Sequence, residues 1–244
     1  MRKMIIPILL IICCNASMAQ QKDETEQKNI VKINLLALGL KNISIQYERA
    51  VGKRVSVAGL VRLMPKSGIP FKSAIKSTID DPDTEAQIEN VKVGNFAFTP
   101  EVRYYVGRKG ALHGFYIGGF ATIANYKAEL PYQYTDNGVK KSIAMSGKVN
   151  TFTGGIMFGS QWKLGKHISL DWWILGPNYG SSNGNLNGQT PLTPSEQNSL
   201  KSEFDDLDIP FTKTSYDVNA NGATLFIKGP WAGIRSGLCI GFSF

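Results

Sequence analysis

The sequence predicts an all-β fold: an eight-stranded antiparallel transmembrane β-barrel with long extracellular loops, one of them containing a short helix. Three observations predict it. An apolar N-terminal segment marks the chain for export, and no later segment has the ~20 apolar residues of a membrane-crossing helix. Strand-length stretches alternate between a charged or small face and a face without charge. Tight basic turns alternate with long polar connections.

The opening "MRKMIIPILLIICCNASMAQ" has Arg2 and Lys3 ahead of an apolar run from Met4 to Cys14, then Ser17 and Ala19 placed for cleavage. It reads as a signal peptide over residues 1–19, cut after Ala19. A lipoprotein reading lacks support, because neither Cys13 nor Cys14 follows a small residue. Residues 20–29 form an N-terminal periplasmic segment and residues 30–244 the barrel. Cleavage takes away two of the three cysteines, leaving Cys239 and no internal disulfide. It lowers the net charge from +8 by two, to +6. That charge is spread along the chain, without the basic, aromatic-interleaved cluster of a nucleic-acid surface, so no nucleic-acid partner is expected.

Alternation and turn residues place strands at 30–38, 43–50, 55–63, 93–106, 114–128, 149–164, 168–176 and 231–244. Connections 51–54, 107–113 and 165–167 are tight, glycine-bearing and basic, whereas 64–92, 129–148 and 177–230 are long and polar. An even strand number, with tight turns and both termini at one rim, is the pattern of an outer-membrane barrel.

Alternation alone fits a soluble barrel as well, so the composition of the faces has to decide. One face collects Lys32, Asn34, Ser44, Gln46, Glu48, Ser56, Arg62, Thr99, Glu101, Arg103, Tyr105, Ser169, Asp171 and Arg235. Small residues and mutually neutralising charges suit a narrow lumen. Glu48, Glu101, Arg103, Asp171 and Arg235 form the expected lumen charge network, with Asp171 and Arg235 paired across neighbouring strands. The opposite face, including Ile45, Phe98, Val102, Trp172 and Phe242, has no charge and suits lipid.

The stretches "VKINLLALGLKNISIQYERAVGKRVSVAGLVRLMP", "FTPEVRYYVGRKGALHGFYIGGF", "TFTGGIMFGSQWKL" and "LDWWILGPNYGSSNG", with the terminal strand, resemble a family of small Bacteroidetes outer-membrane proteins known only as a domain of unknown function. The resemblance implies an OmpX/OmpA-type barrel in the outer membrane. It also implies that Phe244 is the signal read by the barrel-assembly machinery, and it brings no ligand or catalytic residues.

No catalytic, cofactor or metal site is expected. His113 and His167 sit at the tight-turn rim without a Ser or Asp companion at motif spacing. The acidic runs 80–85 and 205–208 match no spaced cation loop. Thr193, Pro194 and Glu196 make a capping box, and Leu200, Phe204 and Leu207 fall on one face of the following helix, which should dock on the barrel mouth. The preceding "NYGSSNGNLNGQT" reads as a flexible polar linker. The expected function is a structural or interaction barrel that is not an enzyme, with a filled lumen and an extracellular partner met through 64–92 and 177–230. The alternatives are a narrow channel or small-ligand carrier and, further off, an outer-membrane enzyme acting on lipid or peptide.

Overall fold

A computed structural model describes residues 27–73, 88–207 and 210–244. The leader with its cleavage point after Ala19, most of the 20–29 segment, the acidic run 80–85 and Asp208 lie outside the described residues.

The ring strands are β1 (Asn29–Asn34), β2 (Ile43–Ala50), β3 (Val55–Gly68), β4 (Lys92–Tyr105), β5 (Gly114–Asp136), β6 (Val139–Lys163), β7 (Ile168–Gln189) and β9 (Gly222–Ser243). They pair antiparallel in chain order, β7 pairs with β9, and β9 returns to β1 with Ile30 opposite Ser243 and Asn34 opposite Cys239. Eight strands thus close a barrel. β1 ends four residues short of the expected 38 because Asn34 caps a helical turn, α1 (Leu35–Gly39). Its Oδ1 accepts from the Leu36 and Ala37 amides at 3.0 and 3.2 Å.

The barrel is apolar outside and polar inside. On β4 and the residue that follows it, Phe96, Phe98, Val102, Tyr104 and Val106 are 44–54% exposed, while Ala97, Thr99, Glu101, Arg103 and Tyr105 are at most 3% exposed. Ten residues at ~3.3 Å each, tilted by ~40°, give a band about 25 Å high, the height of a lipid-facing belt. No described helix is long and apolar enough to cross a membrane.

Two of the expected long loops are largely strand. The 129–148 connection continues as a β5–β6 hairpin closed by Asn137 and Gly138, whose φ values of 50° and 77° make the tight turn that matches strand twist. "NYGSSNGNLNGQT" is the upper half of β7, laddered to β6 and β9 rather than a linker. An additional strand, β8 (Lys213–Asn219), pairs with β9 above the point where β1 ends.

These extensions carry a second core, beyond the belt. The helix α2 (Pro194–Asp205) forms with the capping box intact, and it buries Leu200 and Phe204 against Tyr134, Ile143, Met145, Val218 and Leu225. Leu207 packs against the same cluster. The Phe204 ring lies 5.1 Å from that of Tyr132 and 5.5 Å from that of Tyr216. At the helix start, the Asp136 carboxylate accepts from Ser195 Oγ (2.6 Å) and Lys141 Nζ (2.9 Å), and Lys141 also reaches Glu196. The expected docking of this helix therefore occurs on its own barrel, on the sheet that rises from the mouth.

Candidate functional site: the lumen network and the cavity above it

Strand parity aims the inner face at the barrel axis, and small residues make the room. A Cβ on Gly241 would lie 2.7 Å from Ile30 and 3.0 Å from Lys32, and one on Gly159 would run into the Tyr116 ring, so both strands must be glycine where they pass these side chains. At Ile174–Leu175 β7 carries an extra residue against β9, where Trp173 faces Gly237 and Gly176 faces Arg235. This bulge turns Ile174 and Leu175 both outward and keeps Trp173 inside.

Three cations and three carboxylates meet in the lumen. Lys32 binds Asp171 Oδ2 at 2.5 Å and also binds Glu48. The Arg103 guanidinium reaches Glu101 through Nε (2.7 Å) and, through Nη1, Asp171 (2.7 Å) and Glu48 (3.1 Å). Arg235 Nη1 holds the other oxygen of Glu101 at 2.7 Å. The set Lys32, Arg103, Arg235 against Glu48, Glu101, Asp171 sums to zero charge. Neutral donors complete it: Tyr105 and Ser56 donate to Glu48, Tyr116 and Trp173 to Asp171, and Gln46 to Glu101. All six carboxylate oxygens accept from at least one donor. Such groups are bound to one another rather than poised as bases, which is how buried charge is tolerated.

The five charged residues read from the sequence are therefore brought together, but one expected pair is corrected. Arg235 pairs with Glu101, while Asp171 pairs with Lys32 and Arg103. Asp171 stands opposite Cys239 and Arg235 opposite Gly176, so register and the bulge hold them apart along the β7–β9 ladder. Lys32 was legible as an inner-face residue, and the structure makes it a central cation. Gln161, whose Oε1 accepts from Lys32 (2.8 Å) and Tyr105 (2.9 Å), carried no charge to draw attention, nor did Tyr116 and Trp173, although strand parity alone places Tyr116 and Gln161 inward.

Above the network lies a cavity of about 380 Å³, between it and the long-hairpin rim. Arg235 and Trp173 line its lower part, and Thr99, Thr122, Thr151 and Thr153 line its wall. Near the mouth the Tyr126 and Trp231 rings sit 5.1 Å apart. Arg62, held by Asn95 (2.8 Å) and Tyr126 (3.2 Å), is the other charged lining residue, and none of the lining residues is acidic.

The histidines lie at the tight-turn rim, as expected. His167 stacks on Phe242 at 5.4 Å, and its Nδ1 lies 3.0 Å from the Ser243 carbonyl. Burial and then the charges of Lys109 and Lys163 hold His113 below its ordinary pKa. Phe244 exchanges backbone bonds with Asn29 at 2.9 and 3.2 Å, closing the seam between β9 and β1. Among the described residues no cluster of three or more acidic, cysteine or histidine side chains could hold a metal, and Cys239 is buried.

Comparison with known proteins gives a family without an assigned role. No curated protein matches the chain. Among solved structures, the translocator domain of autotransporter NalP from Neisseria meningitidis aligns over 91% of this chain and 90% of that one, at 10% identity and a TM-score of 0.38. A family model described as "Protein of unknown function (DUF3575)" matches residues 6–181, most of the sequence. The chain belongs to the DUF3575 family.

Proposed function

We propose that this protein is a non-catalytic outer-membrane β-barrel whose lumen is plugged and whose raised β-sheet and helix meet a partner outside the cell. The observation that carries the reading is the inversion of polarity within the belt. Large apolar side chains such as Phe98 and Val102 are about half exposed on the outer face, while charged Arg103, Glu48 and Asp171 are fully buried inside. A water-soluble barrel would bury the first set and expose the second. The plug follows from size and bonding: eight strands leave an interior that side chains fill, and here they fill it with a neutral, mutually bonded cluster. The signal peptide, where cleaved, would deliver the chain to the periplasm, and the tight turns would remain there.

Single cysteines on intact cells test the topology. A cysteine replacing Lys201 on α2 should react with an impermeant thiol reagent, and one replacing Lys53 or Lys109 should not. Labelling of the tight turns with a silent α2 would contradict the proposed orientation. Planar-bilayer recordings test the plug, for which no steady large conductance is expected.

A further inference from the structure

Among the described residues three buried side chains keep polar atoms without a hydrogen-bond partner, Gln161 (Nε2), Ser169 (Oγ) and Arg235, and only Arg235 lines the cavity. Arg235 gives Nη1 to Glu101, but among the described residues its buried Nε and Nη2 have no hydrogen-bond partner. Those two nitrogens form one edge of the guanidinium, the edge whose parallel N–H bonds match the two oxygens of a carboxylate. Buried donors without an acceptor are rare and costly, and where their residue also lines a cavity a partner from outside the chain can complete them. The guanidinium is fixed in place, with its carbon 4.1 Å from the centre of the Trp173 ring and 5.0 Å from that of Phe120. Arg235 lines the cavity together with a second cation, Arg62, and no lining residue is acidic. Its walls mix aromatic and aliphatic surface (Phe120, Trp231, Leu60) with threonine hydroxyls. At ~30 Å³ per water, about a dozen waters fill this volume, within the range of small-molecule pockets.

We infer that the cavity is a binding pocket for a small organic carboxylate with an apolar body, gripped through the Nε–Nη2 edge of Arg235. Polymeric anions are disfavoured by the size of the cavity. The plug beneath makes the pocket blind, so the site captures its ligand without passing it on. This inference relies on the proposed orientation only for the side from which the ligand arrives; binding itself is independent of it.

The test uses the full-length protein in lipid nanodiscs, where topology plays no part. Titration calorimetry with benzoate, benzyl alcohol and inorganic phosphate compares the carboxylate, its neutral analogue and a bare anion. Benzoate should bind saturably at one site per chain, and at least about tenfold more tightly than either of the others, the equivalent of one charge-assisted bidentate contact. Arg235→Lys keeps a positive charge beside Glu101 but removes the fork, and should weaken benzoate at least about tenfold. Thr153→Phe fills the cavity without touching the charge network and should abolish binding while the circular dichroism stays that of the parent. No saturable benzoate binding, equal binding of benzyl alcohol or of phosphate, or full binding by Thr153→Phe would each overturn the inference.

Discussion

The two buried regions of this molecule are built on opposite rules. Within the belt the interior is ionic, with Lys32, Arg103 and Asp171 less accessible than the phenylalanines on the outside. Above the belt the interior is apolar again, with Ile143, Met145, Leu200 and Phe204 buried and Ser142 and Ala144 on the outside. The same strands, β5 and β6, run through both regions with unchanged parity: even positions of β5 and odd positions of β6 stay inside from one end to the other. What changes along them is which residue type occupies the inner face, Tyr116 and Gln161 below, Tyr134 and Ile143 above. A chain that keeps its geometry and reverses its chemistry is what the proposed passage from lipid into water requires, because burial follows the solvent outside.

The sharpest way to break this contrast is to disturb the ionic core. Asp171→Leu leaves Lys32 and Arg103 short of an acceptor and should destabilise the barrel by about 3–5 kcal/mol in urea unfolding. The double change Lys32→Met with Asp171→Leu should cost clearly less than the sum of the two singles. Additive losses would show that the ion pair does not couple. In the apolar core the comparable change is Phe204→Ala, expected to cost about 3–5 kcal/mol of helix docking. It should raise protease cleavage near α2 while the barrel keeps its unfolding midpoint, since the two cores are separate clusters. Simultaneous loss of both would merge them into one cooperative unit.

On the outer face, Leu238→Arg should cost about 2–4 kcal/mol in a membrane, because an arginine there would face hydrocarbon, whereas Ala144→Arg on the raised sheet, the head, should cost little. A smaller effect is expected from acid. Lys141, then the Thr193 amide and hydroxyl, lower Glu196 to about 2 from an ordinary 4.5. A depressed carboxylate contributes stability that is present above its unfolded pKa and lost as pH falls through the folded one. Protection against hydrogen exchange in the first turn of α2, relative to the intrinsic rate, should thus hold down to about pH 4.5 and fall between there and about pH 2. The Lys141→Met variant should lose that protection at higher pH.

Much of this contrast was legible from residue order. Period-2 alternation gave the ring strands and the charge-free face, and parity gathered Glu48, Glu101, Arg103, Asp171 and Arg235 into one lumen. The partner of Arg235 was not legible, because a bulge at Ile174–Leu175 changes the register locally and no composition signal marks it. The upper half of β7 was missed for a physical reason. "NYGSSNGNLNGQ" lies beyond the belt, where the outer face needs no apolar residue, and its glycines are there for close packing: a Cβ on Gly188 would press to 2.7 Å from Ile143. The β5–β6 extension did carry a signal, since Asn137-Gly138 is a strong tight-hairpin dipeptide. β8 and the capture of Asn34 as a helix cap depend on tertiary neighbours that alternation cannot report.

The claim that the two cores face different solvents can be tested with nitroxide side chains placed singly at Phe98 and Val102 in the belt and at Ser142 and Ala144 in the head, in a Cys239→Ala background reconstituted into vesicles. The belt labels should collide frequently with dissolved oxygen and rarely with a water-soluble nickel chelate, and the head labels should do the reverse. Nickel-dominated relaxation at Phe98 and Val102 would mean that the apolar face meets water, and would contradict the membrane barrel.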